Sequence, residues 1–112
     1  MKELLNGLYK ELDDKQAEDI LLIDVKSITS ITDYFVIASA DNIRKVRSIA
    51  DHIESFLEKN GLTLRAKEGT DSAKWILLDF GNLIIHLFEN EERDYYNLEK
   101  IWKDGINITP NK

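Results

Sequence analysis

Residues 75–88 constrain the fold more than any other part of this sequence. Two runs rich in branched and aromatic residues flank the pair Gly81-Asn82, which is typical of a β-hairpin with a two-residue turn. Glycine in the first turn position favours a type II′ turn. Counting outward from this turn places Phe80 opposite Leu83 and predicts every further pair of the hairpin.

Directly paired residues of a hairpin point to the same side of the sheet, so the register sorts the side chains into two sets. The first set is wholly apolar, and we call it the helix-covered face because a helix layer is expected on it: Ile76, Leu78, Phe80, Leu83, Ile85 and Leu87. The second set, the aromatic face, is mixed: Trp75, Leu77, Asp79, Ile84, His86 and Phe88. The aromatic face is too polar for an ordinary core and too apolar for an ordinary surface. We therefore expect it to be open and to bind a partner.

Composition and charge exclude several classes of function. The chain has 112 residues, a length typical of one domain with a sizeable core. It has no cysteine, which excludes disulfides, thiolate nucleophiles and cysteine-based zinc sites. The net charge of −6 argues against direct nucleic-acid binding as the main function, because binding a polyanion normally requires a basic patch. The sequence shows no signal-peptide pattern and no apolar run of membrane-helix length, so we expect a cytoplasmic protein without a membrane contact.

Apolar spacing predicts two helices before the hairpin. Apolar residues recur at helical intervals over residues 1–12 and again over residues 43–57. Asp41 or Asn42 is placed to cap the second helix, and Gly61 is placed to end it.

The remaining patterns before the hairpin predict three strands. Residues 20–25 and 34–40 are short apolar runs with little alternation, which suits strands buried on both faces. Residues 62–67 alternate between apolar and polar, which suits a strand with one face in water. About five strands and three helices then predict an α+β fold, a two-layer sandwich with a mixed sheet and with helices on one face.

The carboxyl-terminal part is predicted to end the domain with a helix. Asp94 is placed to cap this helix, and Gly105 is placed to end it. Its apolar side holds Tyr95, Leu98, Ile101 and Trp102. We therefore predict a single domain over residues 1–105 and a loose tail over residues 106–112.

Several motifs resemble those of the ribosomal silencing factor (Iojap-related) family. In the first half of the chain they are Ala17–Ile20, Asp24-Val25, Asp33–Ile37 and Ile49–Asp51. In the second half they are Glu68-Gly69, Trp75–Gly81, His86–Phe88 and Arg93–Trp102. The likeness runs from about residue 15 to residue 102. Its last two motifs are the most specific, because they combine rare residues at fixed spacings.

The resemblance implies a nucleotidyltransferase-like α+β fold without catalysis, so that no catalytic residue, cofactor or metal ion is expected. It also implies binding to the large ribosomal subunit through ribosomal protein fourteen. Binding there would block joining of the small subunit and slow translation when nutrients are short. The resemblance further implies that the free protein is a homodimer, as is typical of the family. One departure is the loop Ser39–Asn42, where family members usually carry a glycine and a serine, and close approach of a ligand at Ala40 becomes less expected.

Two interpretations of the aromatic face compete. Asp79 and His86 are diagonal neighbours across the hairpin, and a carboxylate that orients a histidine is half of a catalytic triad. No serine on the hairpin supplies a nucleophile, which favours a structural pair at an interface. Trp75 is a core residue if the amino-terminal helix covers its strand, and an interface residue if that face is open. We predict that the partner is bound by Trp75, Leu77, Asp79, Ile84, His86, Phe88 and Tyr96.

Two other functions fit the same residues. A factor that assembles the large ribosomal subunit would use the same surface, and the sequence does not separate assembly from silencing. A nucleotide-binding or nucleotide-transferring enzyme is the other alternative, and a thermal shift with nucleotide and Mg²⁺ would favour it. Because the acids are scattered and the two histidines are far apart, the sequence supplies no recognisable metal-ligand set.

Overall fold

The computed structural model describes residues 1–96 and 103–110, and within these ranges the chain forms three helices and six strands. In chain order the elements are α1 (Lys2–Asp14), β1 (Glu18–Asp24), β2 (Tyr34–Ala40), α2 (Ile43–Lys59), β3 (Ala66–Glu68), β4 (Trp75–Asp79), β5 (Leu83–Glu89), α3 (Asn90–Tyr96) and β6 (Ile106–Asn107). The predicted α+β class is confirmed.

The strands form one mixed sheet in the order β3-β4-β5-β2-β1-β6. β2 and β5 are parallel neighbours at its centre, and the other neighbouring strands are antiparallel. Parallel strands need a crossover connection rather than a tight turn, and α2 lies within that connection. Because β5 lies at the centre of the sheet, its side chains have neighbouring strands on both sides.

The predicted hairpin register is confirmed at every pair between Trp75–Phe88 and Asp79–Ile84. At the turn, the Phe80 N–H donates to the carbonyl of Leu83 over 2.9 Å. Gly81 has a φ of +88°, a backbone conformation that glycine adopts without steric cost. Turn chemistry and alternation therefore sufficed to place every side chain of the hairpin on its correct face.

The helix-covered face is packed as predicted, and all six of its residues are buried. α1 contributes Leu5, Leu8 and Leu12 to this core, and α2 contributes Val46, Ile49, Ala50, Ile53 and Leu57. Asn42 caps α2, because its side-chain oxygen accepts the Lys45 N–H at 2.8 Å. Across the described ranges, no helix combines the length and the apolar content that crossing a bilayer requires.

Two predicted element boundaries are wrong. The strand predicted over residues 62–67 is the shorter β3, and Leu62 and Leu64 instead pack against the core outside any strand. The last helix begins at Asn90 rather than at Asp94, because the Glu89 carboxylate accepts the Glu91 N–H at 3.1 Å and so caps an earlier turn.

The prediction of a loose tail over residues 106–112 is wrong for its first four residues. Ile106 and Asn107 pair with the outer edge of β1 as β6. The Ile108 N–H donates to the Leu22 carbonyl, and the Leu22 N–H donates to the Thr109 hydroxyl, each over 2.9 Å. The edge of β1 presents backbone groups that need hydrogen-bond partners, and this segment supplies them.

Candidate partner-binding site

The aromatic face is less open than the sequence predicts. On β5, Ile84, His86 and Phe88 are only 7%, 6% and 0% exposed. On β4, the other three residues of the face are half-buried. The difference has a physical reason: β5 is central, and Phe35 and Ile37 of β2 pack beside its side chains. The expectation of an open face is therefore wrong for the β5 half, and the β4 half is only partly exposed.

Trp75 is half-buried, and two contacts hold its side chain. Its ring stacks on Phe88, with 4.9 Å between the ring centroids and 28° between the planes. Its Nε1–H donates to Nδ1 of His86 over 3.0 Å. Stacking and hydrogen bonding together fix the side chain in one orientation, so little side-chain entropy remains to be lost when a partner binds.

His86 supports the indole from inside the face. Because an indole N–H only donates, Nδ1 must be the acceptor and Nε2 carries the hydrogen of the neutral ring. The ring also contacts Phe35, at 5.2 Å between centroids. Burial lowers the pKa of His86 from 6.5 to about 4, so the side chain is neutral at physiological pH. Within the described residues, His86 Nε2 has no hydrogen-bond partner.

The predicted pairing of Asp79 with His86 is wrong. Asp79 Oδ1 instead accepts the Gly81 N–H at 2.8 Å and so stabilises the hairpin turn. Nδ1 of His86 accepts its hydrogen bond from the Trp75 indole and not from Asp79. The triad-like interpretation loses its orienting carboxylate, because no carboxylate among the described side chains, those of residues 1–93 and 103–110, bonds to His86.

The carboxyl-terminal part of the predicted site is described only in part. Tyr96 ends α3, and its side chain lies outside the described residues, as do Leu98, Ile101 and Trp102. α3 itself is anchored by Arg93, whose Nη1 donates to the Ser39 hydroxyl over 3.2 Å. The proposed contact through Tyr96 stays a prediction.

Sequence reasoning missed Phe35 and Gly69 as parts of the site. Phe35 lies beside Ile84 in the parallel β2–β5 pairing, which no local pattern announces. Gly69 lies against the backbone of Trp75, and its only signal in the sequence was its place in the motif Glu68-Gly69.

Comparison with known proteins identifies the group to which this architecture belongs. A family model described as "Ribosomal silencing factor during starvation" matches residues 1–112. The "Ribosomal silencing factor RsfS" of Bacillus subtilis is 41% identical over 104 residues, which cover 93% of this chain and 88% of the relative. The mouse protein "Mitochondrial assembly of ribosomal large subunit protein 1" is 34% identical over 103 residues, which cover 88% of this chain and 44% of the relative.

The fold is shared with solved structures as well. A crystal structure of a protein from Chromobacterium violaceum superposes with a TM-score of 0.87 at 28% sequence identity, covering 92% of this chain and 86% of the other. A crystal structure from Bacillus halodurans gives a TM-score of 0.80 at 34% identity, covering 91% and 95%. The resemblance in the sequence motifs is thereby confirmed: this chain belongs to the ribosomal silencing factor family.

Proposed function

We propose that this protein is a cytoplasmic translation repressor that binds the large ribosomal subunit through ribosomal protein fourteen. While bound, it blocks joining of the small subunit by occupying the space that the small subunit needs. The mechanism requires a complementary surface and sufficient bulk, and it requires no enzymatic turnover. Membership of the ribosomal silencing factor family supports this proposal.

The single observation that carries the proposal is the fixed, half-buried side chain of Trp75, which lies on the part of the aromatic face that is not fully buried. Aromatic side chains of this kind are enriched among the residues that dominate binding energy at protein interfaces. Its stacking on Phe88 and its hydrogen bond to His86 are already made in the free protein, so the anchor is preorganised. Leu77 and Asp79 lie on the same strand face and, like Trp75, are half-buried.

The net charge of −6 agrees with this assignment. Proteins that lie within ribosomal RNA need basic surfaces to neutralise phosphates, so an acidic binding protein complements them electrostatically. The same acidic surface would repel the RNA of an approaching small subunit, which adds to steric exclusion.

Sedimentation tests the proposed function. In a sucrose gradient the protein is expected to travel with free large subunits and to be sparse on joined ribosomes, because occlusion and joining exclude one another. When the purified protein is added to purified ribosomal subunits, the fraction of subunits that join is expected to fall in proportion to the fraction of large subunits that carry the protein. Equal abundance on translating ribosomes would contradict occlusion.

Trp75→Ala is expected to weaken binding to isolated ribosomal protein fourteen by about 2 kcal/mol or more, or about thirtyfold in Kd. Asp79→Ala and His86→Ala should act in the same direction with smaller effects. Ile43→Ala serves as a matched control, because Ile43 is 40% exposed but lies on α2, which covers the opposite face. Calorimetric titration of each variant decides between an anchor on β4 and an interface elsewhere.

A role in assembly of the large subunit is the second candidate, favoured by the name of the mouse relative. Both roles would use the same surface, so the discriminating observation is which particle is bound. An assembly factor would bind immature large subunits in preference to mature ones, and its depletion would cause such particles to accumulate. Tight binding to mature subunits with inhibition of joining would favour repression.

We also propose that the free protein is a homodimer, on the strength of the family resemblance. Light scattering at micromolar concentration is then expected to give about twice the 13.0 kDa mass of one chain. A mass equal to that of one chain would contradict this proposal and leave ribosome binding unaffected.

A further inference from the structure

We propose that Gly69 and Arg47 are positioning residues for Trp75 and thereby for partner binding. This inference rests on the proposed function, since it takes Trp75 as the anchor. We call residues 69–74, which lead into β4, the positioning loop.

Gly69 lies directly against the backbone of the anchor. A Cβ atom added to Gly69 would be 1.9 Å from the Trp75 carbonyl oxygen and 3.0 Å from its carbonyl carbon. Gly69 also has a φ of +82°, which other residues adopt only with strain. Any side chain at this position would therefore displace either the loop or the Trp75 backbone.

Internal hydrogen bonds fix the loop between Gly69 and the strand. The Ala73 N–H donates to the Gly69 carbonyl over 3.0 Å, and Ala73 is fully buried with a φ of +57°. The Lys74 carbonyl accepts the Glu89 N–H at 2.8 Å, which continues the β4–β5 pairing past Trp75. The chain before the anchor is thus held at both of its ends.

Arg47 ties this loop to the core. Its Nη2 donates to the carbonyl of Asp71 over 2.6 Å and to that of Thr70 over 3.4 Å. Arg47 lies on α2 next to the buried Val46, so its backbone belongs to a packed element. A guanidinium presents several N–H donors in one plane, which suits contact with two successive carbonyls.

These contacts form one continuous path from the core to the indole. α2 holds the loop through Arg47, the loop abuts the Trp75 backbone through Gly69, and His86 holds the indole. Because α2 covers the face opposite to the aromatic face, Arg47 acts through Trp75 rather than by touching the partner. Without these contacts the Trp75 side chain would move more freely before binding. Partner binding would then include the entropy cost of fixing that side chain in one orientation.

Arg47→Ala tests the inference, with Arg44→Ala as the matched control because it removes the same charge from the exposed side of the same helix. Arg47→Ala is expected to weaken binding to ribosomal protein fourteen about threefold to tenfold, the loss typical of a hydrogen bond. It is also expected to shift the Trp75 indole N–H resonance in NMR spectra and to speed its hydrogen exchange. That resonance is assigned by its absence in Trp75→Phe. Arg47→Lys should give intermediate values, and Arg44→Ala should leave the indole resonance unchanged.

An unchanged indole resonance in Arg47→Ala would overturn the inference, as would affinity losses that are equal for Arg47→Ala and Arg44→Ala. If Trp75→Ala binds as tightly as the parent, the proposed anchor fails instead, and the indole resonance still decides whether Arg47 positions it. Gly69→Ala should act in the same direction with a larger effect. Where Gly69→Ala does not fold, Arg47→Ala decides alone.

Discussion

Leu78→Ala is expected to lower the free energy of unfolding by about 2–5 kcal/mol, the range observed when a fully buried leucine is truncated and a cavity remains. Leu78 is 0% exposed, pairs with Ile85 on the helix-covered face and belongs to the core beneath α1 and α2. Such a loss is a large part of the total stability of a domain of this size. Urea unfolding followed by circular dichroism measures it.

Leu77→Ala is the matched control, because Leu77 is the next residue of the same strand and points to the aromatic face, where it is only half-buried. Truncating Leu77 removes less buried area and leaves no enclosed cavity, so its stability loss should be clearly smaller. A larger loss for Leu77→Ala than for Leu78→Ala would mean that the strand is shifted by one residue. Every side chain of β4 would then change faces, and the proposed binding surface would have to be abandoned.

The hairpin was predictable because its information is local. The turn that begins with Gly81 sets how the two strands pair. In this register all six residues on one side of the hairpin are apolar, and the structure has the same register. β2 and the Asn42 cap of α2 were predictable for the same reason, since a short run or a single side chain specifies each of them.

Elements that depend on distant partners were not predictable in this way. β6 forms because one edge of β1 would otherwise lack a hydrogen-bonded neighbour. Residues 106–107 alone show no sequence pattern that predicts a strand. The parallel pairing of β2 with β5 joins segments about fifty residues apart and buries half of the aromatic face. The alternation of apolar and polar residues along one strand predicts the side of the sheet to which each side chain points. Whether that side chain is buried depends on the neighbouring strands.

The hydrogen bonding of the site shows the same limit at the scale of side chains. Hairpin register makes both Trp75 and Asp79 diagonal neighbours of His86, because each lies two residues from its direct partner Leu77. Which of the two reaches the imidazole depends on rotamers and on competing bonds. The Asp79 carboxylate accepts the Gly81 N–H, and the Trp75 indole N–H donates to Nδ1 of His86.

The burial of His86 predicts a specific dependence of stability on pH. Burial lowers its pKa to about 4 in the folded protein, whereas the unfolded chain has the ordinary value of 6.5. Between these two values the unfolded state binds the extra proton, so stability contributed by neutral His86 is complete above about pH 6.5 and is lost as the pH falls toward 4. The lowered pKa corresponds to about 3 kcal/mol over this window. Protonation also places a hydrogen on Nδ1, which removes the acceptor of the Trp75 indole.

His86→Phe provides the comparison, because it keeps an aromatic ring at this position and has no group to protonate. Other acidic groups titrate in the same range in both proteins, so the difference between the two unfolding free energies isolates His86. That difference is expected to move by about 3 kcal/mol in favour of the variant between pH 7 and pH 4. In the parent, the indole N–H resonance of Trp75 should report loss of its acceptor over the same interval. A difference that is constant with pH would show that His86 has the same pKa in the folded and unfolded states. The indole would then be held by stacking on Phe88 without a buried neutral imidazole behind it.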